Sequence, residues 1–311
     1  MKRSVLATIL VIQLVLVALV WWFRFDNDEQ GPESLLSFEP DSIQKIEISA
    51  SGDEAGMTLV RDENSWQLLS GIPADDDKVE QFLTKLAAID SGWPVAEKDS
   101  TAKRFEVTNE EHQRRIVLSG ADKILGTLYL GTSPGYRKVH ARTASGGPVY
   151  SIKFSVYEAG VDSSSWLNRS LLQPVGAVQE LELEGVFSLS RDGEKGWIAD
   201  QNKALDQDAV ETLIDRFRNL TVMNVYEESV SEAPLLTYIV TDDEGSQRLS
   251  IVRLEKTADE DATSFRYMVS SDRSEGQFEL AAYIAERMAT SIDDLVVSEL
   301  GTEDAEAIID G

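Results

Sequence analysis

The sequence predicts an α+β protein, an N-terminal transmembrane helix followed by two tandem repeats, each an antiparallel sheet with a packed amphipathic helix. Three observations carry that expectation. An almost unbroken apolar run extends from Val5 to Phe23. Beyond it, a succession of strands, one helix and more strands occurs twice. Within each copy the apolar residues alternate with period two, except in one segment where they recur every three or four residues.

Lys2 and Arg3 precede the apolar run, and only Thr8 and Gln13 interrupt it. As a helix it would be about 28 Å long, close to the thickness of a bilayer's hydrocarbon core. Trp21, Trp22 and Phe23 close it as an interfacial aromatic belt would, and Arg24, Asp26, Asp28 and Glu29 follow. Basic residues before the span and acidic ones after it place the N-terminus in the cytoplasm and the body outside. Ala18 and Val20, flanked by tryptophans, suit a retained signal anchor better than a cleavage site. The expected organisation is an anchor over residues 1–25, an acidic linker over 26–40, repeats over 41–174 and 175–290, and an acidic tail over 291–311.

Composition narrows the function classes. With 42% apolar and 27% charged residues the chain can build a globular core. Its 29 basic against 55 acidic residues leave a net charge of -26. That surface repels phosphate backbones, so nucleic acid is excluded as a partner. It also repels anionic headgroups, so the body should stand off the bilayer. The chain has no cysteine, which removes disulfides, thiolate metal sites and a cysteine nucleophile.

The duplication is legible residue by residue. Ile43, Ile46 and Ile48 recur as Val178, Leu181 and Leu183; Met57 to Asp62 recurs as Phe187 to Asp192; Trp66 recurs as Trp197. The helical stripes are Val79, Phe82, Leu83, Leu86 and Ile89 in the first copy and Val210, Leu213, Ile214, Phe217 and Leu220 in the second. Asp75 to Asp77 precede one, Asp206 and Asp208 the other, as caps and dipole partners. Three strands before each helix and about four after it complete a copy, with Leu172 to Gly176 as the boundary. A further helix from Ala281 to Met288 closes the second copy, and the tail from Ser291 is loosely held.

Residues able to do chemistry are sparse. His112 and His140 are the only histidines, and no Gly-x-Ser-x-Gly elbow occurs. His140 reads as a solvent-facing strand residue and His112 as part of a polar turn. Glu47, Glu182 and Glu184 alternate with apolar residues and so face solvent. Asp75 to Asp77 lack the alternating ligands and turn glycine of a calcium loop, and Asp242 to Gly245 is a hairpin turn. Trp66 and Trp197 read as core. The sequence thus assigns no catalytic, metal or cofactor residue. One loop stands out: Gly131, Pro134 and Gly135 with the basic pair Arg137 and Lys138 could cradle an anion or meet a partner. It lacks the Gly-Lys-Ser/Thr of a phosphate-binding P-loop.

Several segments resemble a bacterial family, the domain-of-unknown-function family numbered 4340. They are the anchor, the hairpin from Met57 to Trp66, Gly71 to Asp75, Arg104 to Val107, Leu128 to Arg142, Val149-Tyr150, Trp166-Leu167 and Leu171-Leu172. The resemblance implies a protein of the bacterial inner membrane, with one pass and an extracytoplasmic body. It also implies an accessory role beside a gliding-motility-type ABC transporter, with an ABC-type permease or another membrane protein as partner, and it brings no catalytic residue. The functional expectation is a non-enzymatic interaction protein. A domain binding glycan or another envelope component is the alternative, and an uncharacterised hydrolase a third.

Overall fold

The computed structural model describes residues 12–18, 34–52, 56–193, 195–200, 203–226, 228, 230, 232–255 and 265–297. Two large antiparallel sheets carry the fold. The first contains β1 (Lys45–Ser49), β2 (Met57–Asp62), β3 (Ser65–Leu68), β4 (Pro94–Ala96), β5 (Arg114–Ser119), β6 (Ile124–Leu130), β7 (Val139–Thr143) and β8 (Val149–Ile152). Its strand order is β3-β2-β1-β5-β6-β7-β8-β4. The second contains β9 (Glu180–Leu183), β10 (Phe187–Asp192), β11 (Gly196–Ala199), β12 (Val222–Tyr226), β13 (Leu236–Asp242), β14 (Gly245–Leu254), β15 (Arg266–Ser271) and β16 (Gln277–Leu280). Its order, β11-β10-β9-β13-β14-β15-β16-β12, repeats the first strand for strand.

Alternation explains the strands. Ile46 and Ile48 on β1, and Leu181 and Leu183 on β9, turn inward, while their acidic neighbours Glu47 and Glu182 are only partly covered. The helices are few: α1 (Asp76–Ala87), the single turn α2 (Asp99–Ala102), α3 (Gln207–Arg218) and α4 (Ala282–Met288). Both apolar stripes are buried, with Val79, Leu83 and Leu86 on α1 and Val210, Leu213, Ile214 and Phe217 on α3 all inaccessible to solvent. Each such side chain contributes about 1.5–3 kcal/mol by leaving water.

This architecture corrects the expected fold class. Sheet dominates, and each sheet has eight strands because a short strand follows the helix and pairs at the edge. β4 is three residues long and opens on Pro94, too short for any alternation to show. β12 has a register shift against β16 and no alternating burial. The expected N-terminal transmembrane helix is corrected as well. Only residues 12–18 of that run are described, as helix, and the rest lies outside the described residues. Among the described residues no helix is long and apolar enough to cross a membrane. At the other end, residues 291–297 are docked rather than loose: Leu295 is buried, and the Val297 N–H donates to the Ala204 carbonyl.

Candidate functional site

The loop between β6 and β7 is the one segment singled out by sequence that the fold also presents to solvent. Its base is fixed by close approach: a Cβ on Gly131 would lie 1.9 Å from the Phe105 carbonyl oxygen, so only glycine fits. The Thr132 N–H donates to that same carbonyl at 3.0 Å, and the Gly131 N–H donates to His140 O at 2.9 Å. Ser133 braces the turn from within, its hydroxyl reaching Gly135 O at 2.8 Å and Lys138 O at 2.7 Å. Pro134 and Gly135 make the bend, closed by the Lys138 N–H on Gly135 O at 3.2 Å. Arg137 takes a left-handed backbone (φ 50°), unusual for a side chain of its size. Its guanidinium lies over the Tyr136 ring at 5.2 Å, and Tyr136 is 86% exposed. The loop is therefore a braced tip with an aromatic ring and two cations outermost.

His140 beneath the loop is buried, which corrects its expected place on a solvent face. Val139, His140 and Ala141 are all covered, so β7 has no wet side here. The imidazole lies 4.5 Å from the Phe105 ring, and its Nδ1 sits 2.9 Å from the Thr132 hydroxyl. Burial pushes its pKa down, and a hydrogen bond to the Thr132 backbone opposes that shift. His112 is buried too, with Nδ1 3.1 Å from Thr108 O and its ring against Tyr129. Both histidines brace turns.

The aspartate run ahead of α1 is likewise structural. Asp75 caps the helix through the Lys78 N–H at 3.1 Å, and Asp76 accepts the Trp66 N–H at 2.6 Å. The counterparts agree: Asp206 caps α3 through the N–H groups of Asp208 and Ala209, and Gln207 accepts the Trp197 N–H at 2.7 Å. Trp66 and Trp197 are buried. A cleft of about 750 Å³ opens beside Asp75, Asp77, Lys78, Ser164, Arg169 and Thr221, but its lining is mostly polar, unlike the apolar walls of small-molecule pockets. Among the described residues no three His, Cys, Asp or Glu side chains converge as a metal site requires.

Sequence reasoning missed one buried group. Asp242, at the end of β13, receives both guanidinium arms of Arg273 at 2.7 Å, together with the N–H groups of Val175 and Glu244 at 2.9 Å. Arg273 holds the Asp242 carboxyl below the usual carboxylate range, with burial opposing it. Nothing local signals this pair, because Arg273 lies two strands further along the chain.

Compared with known proteins, residues 66–238 match the family model described as Domain of unknown function (DUF4340). No curated protein matches, and no solved structure does.

Proposed function

The chain belongs to the DUF4340 family of domains of unknown function, whose model covers more than half of its 311 residues, and from that premise we propose a non-enzymatic accessory of an ABC-type transporter complex, working by contact on the extracytoplasmic side of a bacterial inner membrane. One observation carries the contact reading. Among the described residues, both histidines and the aspartates nearest the candidate features are engaged in holding the fold: His140 with Thr132, His112 with Thr108, Asp75 and Asp206 as caps, Asp76 and Gln207 on tryptophan amides, and Asp242 with Arg273. A general acid or base needs a free position beside substrate, which none of these has. Location, like the transporter, rests on the family resemblance, which is analogy.

A net charge of -26 calls for a partner with basic extracytoplasmic loops, so association should weaken as salt rises. Crosslinking in intact membranes, followed by identification of what co-purifies, tests the proposal. Recovery of a permease, falling with ionic strength, is the expected result. Full activity of the complex without this chain would overturn the reading.

A further inference from the structure

Three aromatic side chains stand almost wholly in water: Trp93 at 93%, Tyr157 at 88% and Tyr136 at 86% exposure. They are distant in sequence, yet the first sheet brings them to one end. Tyr136 tips the β6–β7 turn. β8 runs back beside β7, with Ile152 opposite Val139, and so delivers Lys153 and Tyr157 to that same end. β4 pairs Pro94 with Tyr150, the partner of Ala141, so Trp93 just before it stands level with His140. With neighbouring strands about 4.8 Å apart, the three segments leave the sheet within about 10 Å of one another.

The tips are held outward. Ser133 braces the first, as described above. Tyr157 sits in a short 3-10 turn closed by a capping box between Ser155 and Glu158, and Glu158 is anchored by Lys85. Trp93 is confined between Gly92, at φ 60°, and Pro94.

The charge at this end also departs from the rest of the chain. Lys103 is paired with Glu111. Arg104 borders the loop through Phe105, and Arg137, Lys138 and Lys153 stand with it, while of the acids nearby in sequence, Asp90, Glu106, Glu110 and Glu158, the last is paired with Lys85. An end rich in cations, on a chain of net charge -26, is where an anionic surface can approach. Three separate protruding rings form no pocket or continuous apolar face for a folded partner. Trp and Tyr beside cations are instead the residues that settle at headgroup depth.

We propose that this end of the first sheet rests on an anionic lipid surface, with Trp93, Tyr136 and Tyr157 in the headgroup layer and Arg104, Arg137, Lys138 and Lys153 against lipid phosphates. The inference rests on the membrane location proposed above, and it gives the acidic body one orientation there.

The absence of cysteine allows a single reporter. Tyr157→Cys in the full chain, carrying an environment-sensitive fluorophore, is reconstituted into vesicles of phosphatidylethanolamine with phosphatidylglycerol, or of phosphatidylcholine alone. Trp93→Cys serves as a second reporter, and Ile124→Cys, exposed at the opposite end of β6 where it pairs with Ser119, as the control. Emission should brighten and shift to the blue at positions 157 and 93 only with phosphatidylglycerol, and high salt should reverse it. Arg137→Gln and Lys138→Gln should each weaken the contact about fivefold at low salt. A response equal at position 124, or none at 157 and 93, overturns the proposal. Shielding that occurs in native membranes but not in lipid vesicles would overturn it in favour of a protein partner. Permease crosslinking is read separately, so either proposal can fail without the other.

Discussion

At the turn beyond its fifth strand the first sheet uses backbone alone, where the second uses a buried ion pair. Gly120 follows β5, and its N–H donates to the Lys123 carbonyl at 2.9 Å. At the matching place β13 ends in Asp242, whose side chain is fully buried and gripped at both oxygens by Arg273. The flanking strands agree: Gln44 donates to Ser119 O in one sheet and Gln179 to Thr241 O in the other, each at 2.8 Å. One strand order is thus reached with and without a charged clasp. Apolar alternation sets the topology, and polar devices are local additions to it.

Core substitutions should be the most damaging way to test that equivalence. Leu86 and Leu213 are both inaccessible within the apolar stripes of α1 and α3. Leu86→Asp and Leu213→Asp should each cost about 4–5 kcal/mol, because each buries an unpaired carboxylate. Thr84→Asp on the exposed side of α1 should stay within about 0.5 kcal/mol. Urea unfolding reads all three, and leucine variants that melt like wild type would show that the stripes are not the core.

The clasp itself comes next. Arg273→Ala strands the Asp242 carboxylate in the interior and should cost about 3–5 kcal/mol, whereas Asp242→Ala with Arg273→Ala together should cost less than the single change. If the double variant is no more stable than Arg273→Ala, the turn depends on packing rather than on charge.

What sequence reading reached follows from the range of the forces involved. The helical stripes and most strands were legible because their signal is periodic and local. β4 was not, since three residues beginning with Pro94 carry no period. His140 was placed on the wrong side because alternation assumes one wet face, and Phe105, far back in the chain, covers that face. The Asp242–Arg273 pair and the gathering of Trp93, Tyr136 and Tyr157 depend on strand order, which no local pattern states. The loop from Gly131 to Lys138 was legible as a turn, but its bracing comes from Phe105 and Ser133.

A smaller difference separates the two tryptophan latches. Asp76 takes only the N–H of Trp66, whose carbonyl accepts the Ala74 N–H at 2.8 Å. Gln207 serves both groups of Trp197, accepting from its N–H and donating to its carbonyl at 2.9 Å. Gln207→Ala therefore removes a hydrogen bond from two backbone groups and Asp76→Ala from one. The expected losses are about 2 kcal/mol and about 1 kcal/mol. Equal losses would mean that Trp197 O finds another partner.

The finest contrast lies in how each half responds to acid. His140 belongs to the first sheet, and its folded pKa is depressed, so the unfolded chain binds its proton more readily. Stability from keeping this imidazole neutral is fully present above its unfolded pKa of about 6.5 and declines as pH falls below that value. Asp242 belongs to the second sheet, and its depressed pKa contributes stability that is present above the unfolded value of about 3.9 and is lost as pH falls through the folded one. Thermal unfolding followed from pH 7.5 to pH 3 should thus soften in two stages, and the variants should separate them. His140→Gln should flatten the curve just below about pH 6.5 while leaving the acid limb intact. In Arg273→Ala the acid limb should shrink, because protonating a stranded carboxylate relieves its burial. If His140→Gln leaves the upper stage unchanged, the imidazole takes up its proton in the folded chain as readily as in the unfolded one, and burial does not hold it neutral.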